Sequence, residues 1–261
     1  MARRRIRRAL LSVAVSRAHS RGNRPRIDSL HDLVPPGSRV ADIGTDRALL
    51  PRRLLADQRA SHCIATELDE PRVLRARRST IDLLYDPRLE IRAGDGLAAL
   101  RASDCIDVVV IAGLGGACVA AILARGRLAE LGIRRLVLQP RTDLGVVRSW
   151  LATHGFRIVD ERLVGERGRL CAIIAAEAGP LEDGGTGCAL LTPEDLFEVG
   201  PLLALSGDPQ VRTYWRRELA RLDGILVAAG EGEGRGRREA IRRRDLARRV
   251  LAALDASKQS R

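Results

Sequence analysis

Val40-Ala41-Asp42-Ile43-Gly44-Thr45-Asp46-Arg47-Ala48-Leu49-Leu50-Pro51 is the stretch whose reading decides the fold. It reads as a short buried strand, a tight turn and the start of a helix. Asp42 comes late in an otherwise apolar strand. Gly44 stands where a turn can need a positive φ, which glycine adopts at least cost. Thr45 and Asp46 are both residue types that cap helix N-termini, where their side-chain oxygens can satisfy free N–H groups. Doubly wound α/β proteins build their nucleotide sites on such strand–turn–helix units. Taken alone, the stretch also fits an ordinary βα turn. It is neither a G-x-G-x-x-G fingerprint nor a P-loop, because the glycine spacing fails and no Gly-Lys-Ser/Thr follows.

Three further segments raise the nucleotide reading. Cys63-Ile64-Ala65-Thr66-Glu67-Leu68-Asp69 is a second strand with an acid at its end. That acid stands about 20 residues on, where a ribose-binding carboxylate is expected. Leu89 to Leu97 contains Gly94-Asp95-Gly96. Ile106 to Ile111 runs into Ala112-Gly113-Leu114-Gly115-Gly116. Four strand ends, each carrying an acid or a glycine, are expected on one edge of a mostly parallel sheet.

Asp42-Ile43-Gly44-Thr45-Asp46, Gly94-Asp95-Gly96-Leu97, Ala112-Gly113-Leu114-Gly115-Gly116 and Leu138-Gln139-Pro140 together resemble the ordered motifs of the bacterial tRNA (adenine-22-N1)-methyltransferase family. The likeness runs from about Arg26 into the C-terminal region and includes Leu191-Thr192-Pro193-Glu194-Asp195. It implies a Rossmann-like seven-stranded methyltransferase sheet with a small C-terminal helical, coiled-coil-like hairpin domain. It also implies S-adenosyl-L-methionine as the methyl donor, tRNA as the partner and N1 of an adenine as the acceptor. Asp42, Gly44, Asp46, Glu67, Leu68, Asp95, Gly96, Ala112, Gly113 and Arg26 are the expected cofactor-binding residues. Asp46 is the candidate catalytic residue, and no metal is expected.

The chemistry fits these residue types. Glu67 would accept from both ribose hydroxyls, each charge-assisted bond being worth ~1.5–3 kcal/mol. Asp95 would receive the adenine amino group. Asp42 and the Gly44 backbone would face the methionine end, where a carboxylate matches the ammonium and the sulfonium. NAD would want a glycine-lined turn for its pyrophosphate, and Asp46 stands where a second glycine would be. Adenine N1 has a free lone pair and needs no base, so catalysis is mainly placement, which can supply ~7–11 kcal/mol. Asp46 would stabilise the cationic product ring. The Asn/Asp-Pro-Pro-Tyr signature of many amino-group methyltransferases is absent, which argues against an exocyclic amine as the acceptor. The chain departs from the family at Arg47 and Leu49, where His and Tyr are usual, and at Leu114, where Met is common. Arg47 could hold a phosphate or pair with Asp46. Tyr85 and Trp150 are the nearest stacking candidates for a displaced base.

The whole chain of 261 residues is 45% hydrophobic and 2% aromatic, so its core must be mostly aliphatic. A net charge of +12 favours a polyanionic partner. All basic residues but Lys258 are arginine. Cysteines at 63, 105, 118, 171 and 188 form no Cys-x-x-Cys, and read as reduced thiols filling the core of a cytoplasmic protein. No apolar run approaches the ~20 residues of a membrane helix.

Residues 1–25 carry eight of the nine arginines up to position 26 and no acid, and read as a basic arm. Residues 26–178 form the expected cofactor-binding domain, 179–191 a glycine-rich linker, and 192–261 the helical domain. Helices are expected over 51–59, 71–84, 117–123 and 146–153, and strands at 136–138, 156–164 and 170–176. Thr192-Pro193-Glu194-Asp195 reads as a helix start. Two arginine-rich helices, 211–227 and 238–254, would pair through Leu219, Leu222, Ile225 and Leu226 against Ile241, Leu246, Val250, Leu251 and Leu254. That hairpin fits a phosphate clamp, a solvated pair or a dimer contact, leaving monomer and homodimer both open. The same sequence admits a methyltransferase of another RNA base or a small molecule, or an RNA-binding protein with a vestigial cofactor site.

Overall fold

In the computed structural model, residues 24–83, 85–179, 191–230 and 234–259 are described. They fall into two compact units, residues 24–179 and residues 191–259.

The first unit is a seven-stranded sheet of order β3-β2-β1-β4-β5-β7-β6. Its strands are β1 Ser38–Ile43, β2 Ala60–Glu67, β3 Leu89–Ala93, β4 Val108–Ala112, β5 Arg135–Gln139, β6 Phe156–Glu166 and β7 Arg169–Ala178. The first five are parallel, and β7 runs antiparallel between β5 and β6. The chain moves from β1 outward to β3, then returns to add β4 on the other side of β1. That reversal makes the carboxyl ends of β1 and β4 the topological switch point, where open α/β sheets hold ligands.

Helices cover both faces because the central strands are apolar on both sides. Ala41, Ile43, Val109, Ile111, Leu136 and Leu138 pack with α4 (Gly116–Arg125) and α5 (Leu144–Thr153). Val40, Cys63, Val108, Val110 and Val137 pack on the opposite side with α1 (Pro25–Leu33) and α2 (Leu49–Ala56). Truncating such a core leucine or isoleucine to Ala costs ~2–5 kcal/mol. α3 (Glu70–Ser79) crosses between β2 and β3.

The structure departs from three expectations. The helix expected over 71–84 ends at Ser79, where the Thr80 hydroxyl turns back to the Ala76 carbonyl, 3.0 Å away. Leu84 itself lies outside the described residues. The cysteines are not mostly core filler: Cys63 is buried, Cys171 half-buried, and Cys105 and Cys118 exposed. Cys188 lies outside the described residues. Trp150 is no base platform, because it stacks on His154 at 4.2 Å and packs into the core near Phe156.

The second unit holds α6 (Pro193–Val199), α7 (Pro201–Ser206), α8 (Pro209–Ala229) and α9 (Arg235–Gln259). Thr192 and Asp195 form a reciprocal capping box at the start of α6. α8 and α9 run antiparallel, with Arg212 paired to Asp255 and Glu218 to Arg243. Trp215, Leu222, Leu246, Val250 and Leu254 are buried, whereas Ile225 is exposed rather than part of the seam. Residues 1–23 of the basic arm and most of the linker lie outside the described residues. Among the described residues no helix is long and apolar enough to cross a membrane.

Candidate active site

The parallel pairing brings the carboxyl ends of β1 to β4 to one edge. β2 ends in Glu67 itself, and the Gly94 N–H donates to the Glu67 carbonyl at 2.8 Å, setting the start of the Asp95 loop beside it. The Gly113 N–H donates to the Gln139 carbonyl at 3.0 Å, which ties the β4 loop to the end of β5.

Asp42 shares its face with Val40, on the side covered by α1 and α2. Its carboxylate is buried and accepts from the Thr45 hydroxyl at 2.6 Å. Burial, the largest influence, and the nearby Glu67 push its pKa up; the Thr45 bond and Arg26 pull it down. The balance lies at about 6. A buried carboxyl so poorly compensated favours a cation beside it.

The turn after β1 differs from the expected helix start. Gly44 (φ +73°), Asp46 (φ +53°) and Ala48 (φ +49°) all take left-handed backbone. The helix begins only at Leu49, with no side-chain cap. Thr45 and Asp46 instead look backward. The Thr45 hydroxyl goes to Asp42, and the Asp46 N–H donates to Glu67 Oε1 at 2.5 Å. Capping residue types were spent on the carboxylates of two strand ends, not on the helix.

The remaining residues expected at the site take these positions. Glu67 is buried. Leu68 follows it with 58% of its surface exposed, an apolar face beside the acid. The Asp46 carboxylate is exposed and lies 3.3 Å from Arg75, which takes the place expected for Arg47. Asp95 is exposed and lies 3.3 Å from Arg125 on α4. Gly96 has φ +58°, and a Cβ there would sit 3.0 Å from Ile122. Gly113 has φ +83°, and a Cβ on it would meet nothing within 4 Å, so the space over the β4 loop is open. Leu114 comes within 3.8 Å of the position a Gly44 Cβ would take, lining the same turn. Tyr85 is 93% exposed.

Arg26 joins two strand ends on the other side of Asp42. Its Nε donates to Glu166 at the end of β6 at 3.0 Å, and its NH1 to Gln139 Oε1 at 3.4 Å. Gln139 is buried and donates to the Pro140 carbonyl at 3.1 Å. The sequence reading missed Glu166. The signal was the Glu166-Arg167-Gly168-Arg169 turn, whose X-Gly pair marks a tight hairpin. Among the described residues no cluster of His, Cys, Asp or Glu could hold a metal ion.

A parallel sheet with this order, its antiparallel β7 inserted before the last strand and its acids at the switch-point edge, defines a Rossmann-like methyltransferase domain. The family of tRNA (adenine(22)-N(1))-methyltransferases matches residues 40–247, and the chain belongs to it. The tRNA (adenine(22)-N(1))-methyltransferase of Bacillus subtilis (strain 168) is 32% identical over 200 residues, 77% of this chain and 82% of that one. A crystal structure of the B. subtilis M1A22 tRNA methyltransferase superposes with a TM-score of 0.75 at 27% identity, covering 87% of this chain and 97% of that one. Streptococcus pneumoniae Sp1610, solved in complex with S-adenosyl-L-methionine, gives 0.74 at 29%, covering 87% and 98%.

Proposed function

We propose that this chain transfers a methyl group from S-adenosyl-L-methionine to N1 of an adenine in tRNA, at position 22. The observation that carries the reading is the acidic edge: buried Asp42, raised to about 6, beside buried Glu67, with Asp95 one strand further on. Such an edge suits a cationic donor and repels a pyrophosphate. When bound, the donor supplies an electrophilic methyl on a sulfonium.

The residues present fit that group. Asp42 holds its ammonium end, with the Gly44 backbone alongside. Glu67 has one oxygen on the Asp46 amide and offers the other to the ribose. Leu68 provides an apolar surface for the adenine, and Asp95, with Gly96, accepts from its amino group. Ala112 and Gly113 leave room for the incoming base over the β4 loop. Asp46 stabilises positive charge developing on the methylated ring. Arg26 orients Gln139 and Glu166 on the side of the acceptor. Residues 26–178 act as the catalytic domain, and 192–261 as a helical domain that grips tRNA phosphates, in the cytoplasm.

The test is methyl transfer from labelled donor to an unmodified tRNA transcript, followed by nucleoside mass spectrometry. The reading predicts 1-methyladenosine, lost when A22 of the transcript is replaced by G. A labelled nucleoside of any other kind, or transfer that survives the replacement, overturns it.

A further inference from the structure

Three arginines lie at the carboxyl edge of the sheet, just beyond β5 and in the β6–β7 turn, away from the acids of β1 to β3. Arg167 and Arg169 flank Gly168 in the β6–β7 turn. The strands stay in register to Glu166↔Arg169. Both central residues, Arg167 (φ +50°) and Gly168 (φ +75°), have the left-handed backbone of a primed two-residue turn. Because β6 runs parallel to β5 through two antiparallel steps, its tip stands at the carboxyl edge, the same edge as the β4 loop.

Arg141 is the third. Its N–H donates to the Leu114 carbonyl at 2.7 Å, so its backbone is fastened to the Ala112–Gly116 loop. The half-buried Cys171 thiol of β7 lies within electrostatic reach of Arg26 and its partner Glu166, and of Arg169 and Arg141. Arg141, Arg167 and Arg169 are all exposed.

Their neighbours have acids. Arg26 pairs with Glu166, Arg135 with Glu177, Arg148 with Glu161 and Arg162 with Asp160. Arg141, Arg167 and Arg169 have no ion-pair partner among the described residues. Glu166, the one acid in the turn, is already held by Arg26. Three exposed, unneutralised guanidinium groups thus stand at the carboxyl edge, one just beyond β5 and two in the β6–β7 turn. The guanidinium fork matches phosphate oxygens in two-point contacts.

We infer that Arg141, Arg167 and Arg169 form a phosphate-binding rim that grips the RNA backbone on either side of the displaced nucleotide. This rests on the tRNA reading above and deepens it. The rim assigns a nucleic-acid contact to the catalytic unit itself, apart from the arginine-rich helices. Extruding a base leaves its flanking phosphates strained out of helical geometry, and cations at the mouth of the site hold them there.

The experiment compares the full chain with the R141A/R167A/R169A triple variant and with R141K/R167K/R169K. Affinity for unfractionated tRNA is measured by filter binding from 50 to 300 mM KCl, and the KM for tRNA at saturating donor. Donor binding by calorimetry certifies that each variant is folded; the single variant R167A, at the tip of the turn, serves if the triple is not. Each lost phosphate contact lowers the salt slope by about 0.7–0.9. The alanine triple should lower it by about two, raise the KM for tRNA about tenfold or more and leave kcat within about twofold, and the lysine triple should keep most of the slope. An alanine triple with the parental slope overturns the rim. A parent chain that binds tRNA but transfers no methyl would sink the proposed function, and the slopes would still decide the rim.

Discussion

Glu67 at the end of β2 accepts a hydrogen bond from the backbone N–H of Asp46 at 2.5 Å, which locks the left-handed turn after β1 to the neighbouring strand. Non-glycine residues in that backbone region cost ~1–3 kcal/mol when nothing holds them. In E67A the Asp46 amide should therefore exchange its hydrogen faster than in the parent. Donor affinity should fall more than tenfold, since a charge-assisted bond to the ribose is worth ~1.5–3 kcal/mol. Hydrogen exchange by mass spectrometry and calorimetry check the two halves. E67Q, which keeps an acceptor, should fall between.

Asp42 gives the site a pH dependence whose sign is fixed. Its carboxyl rises from the ordinary 3.8 to about 6 in the folded chain. Between those values the folded state holds a proton that the unfolded state has released, so this contribution to stability declines as pH rises from 4 to 6. Above 6 both states are ionised and the full cost remains, ~3 kcal/mol. A cationic ligand relieves that cost. Donor affinity should climb with pH from 5 to 7 and then level off. D42N should stabilise the free protein at pH 8 by ~1–3 kcal/mol while weakening donor binding. Urea unfolding and calorimetry across pH check both; a D42N chain less stable than the parent at pH 8 would contradict the electrostatic reading.

Gly116 opens α4 where a Cβ would sit 2.4 Å from the carbonyl oxygens of both Thr142 and Asp143. Backbone cannot yield as a flexible side chain does. G116A should cost ~1–3 kcal/mol and displace the loop that carries Arg141. The urea midpoint reads the first effect, and a fall in tRNA affinity the second.

Arg148 of α5 and Glu161 of β6 form a 2.7 Å ion pair with both side chains fully buried. Removing one partner strands a charge in the core. E161Q should cost ~3–5 kcal/mol, whereas the double variant R148M/E161L should recover most of it. Equilibrium unfolding of the three chains separates the cases.

The sheet was legible because its central strands are short apolar runs buried on both faces, and β1 to β4 each run into an acid or a glycine. The two long helices of the second unit were legible from their spacing and arginine-rich faces. The turn after β1 was not. Thr and Asp cap helices and close turns with the same oxygens, and only the position of Glu67, set by strand pairing, decides which they do. The helix ending at Ser79 was overrun because Thr80 terminates it through a hydroxyl bond that no periodicity reveals. Trp150 looked available until the fold brought His154 and Phe156 beside it. Glu166 was invisible as a site residue because its partner, Arg26, lies 140 positions away.

Titration calorimetry of the purified chain with S-adenosyl-L-methionine and, separately, with NAD addresses the acidic edge most directly. Saturable one-to-one binding of the sulfonium compound, abolished in D95A, with no heat from the dinucleotide, is the predicted result. Binding of NAD in preference to S-adenosyl-L-methionine would contradict the account.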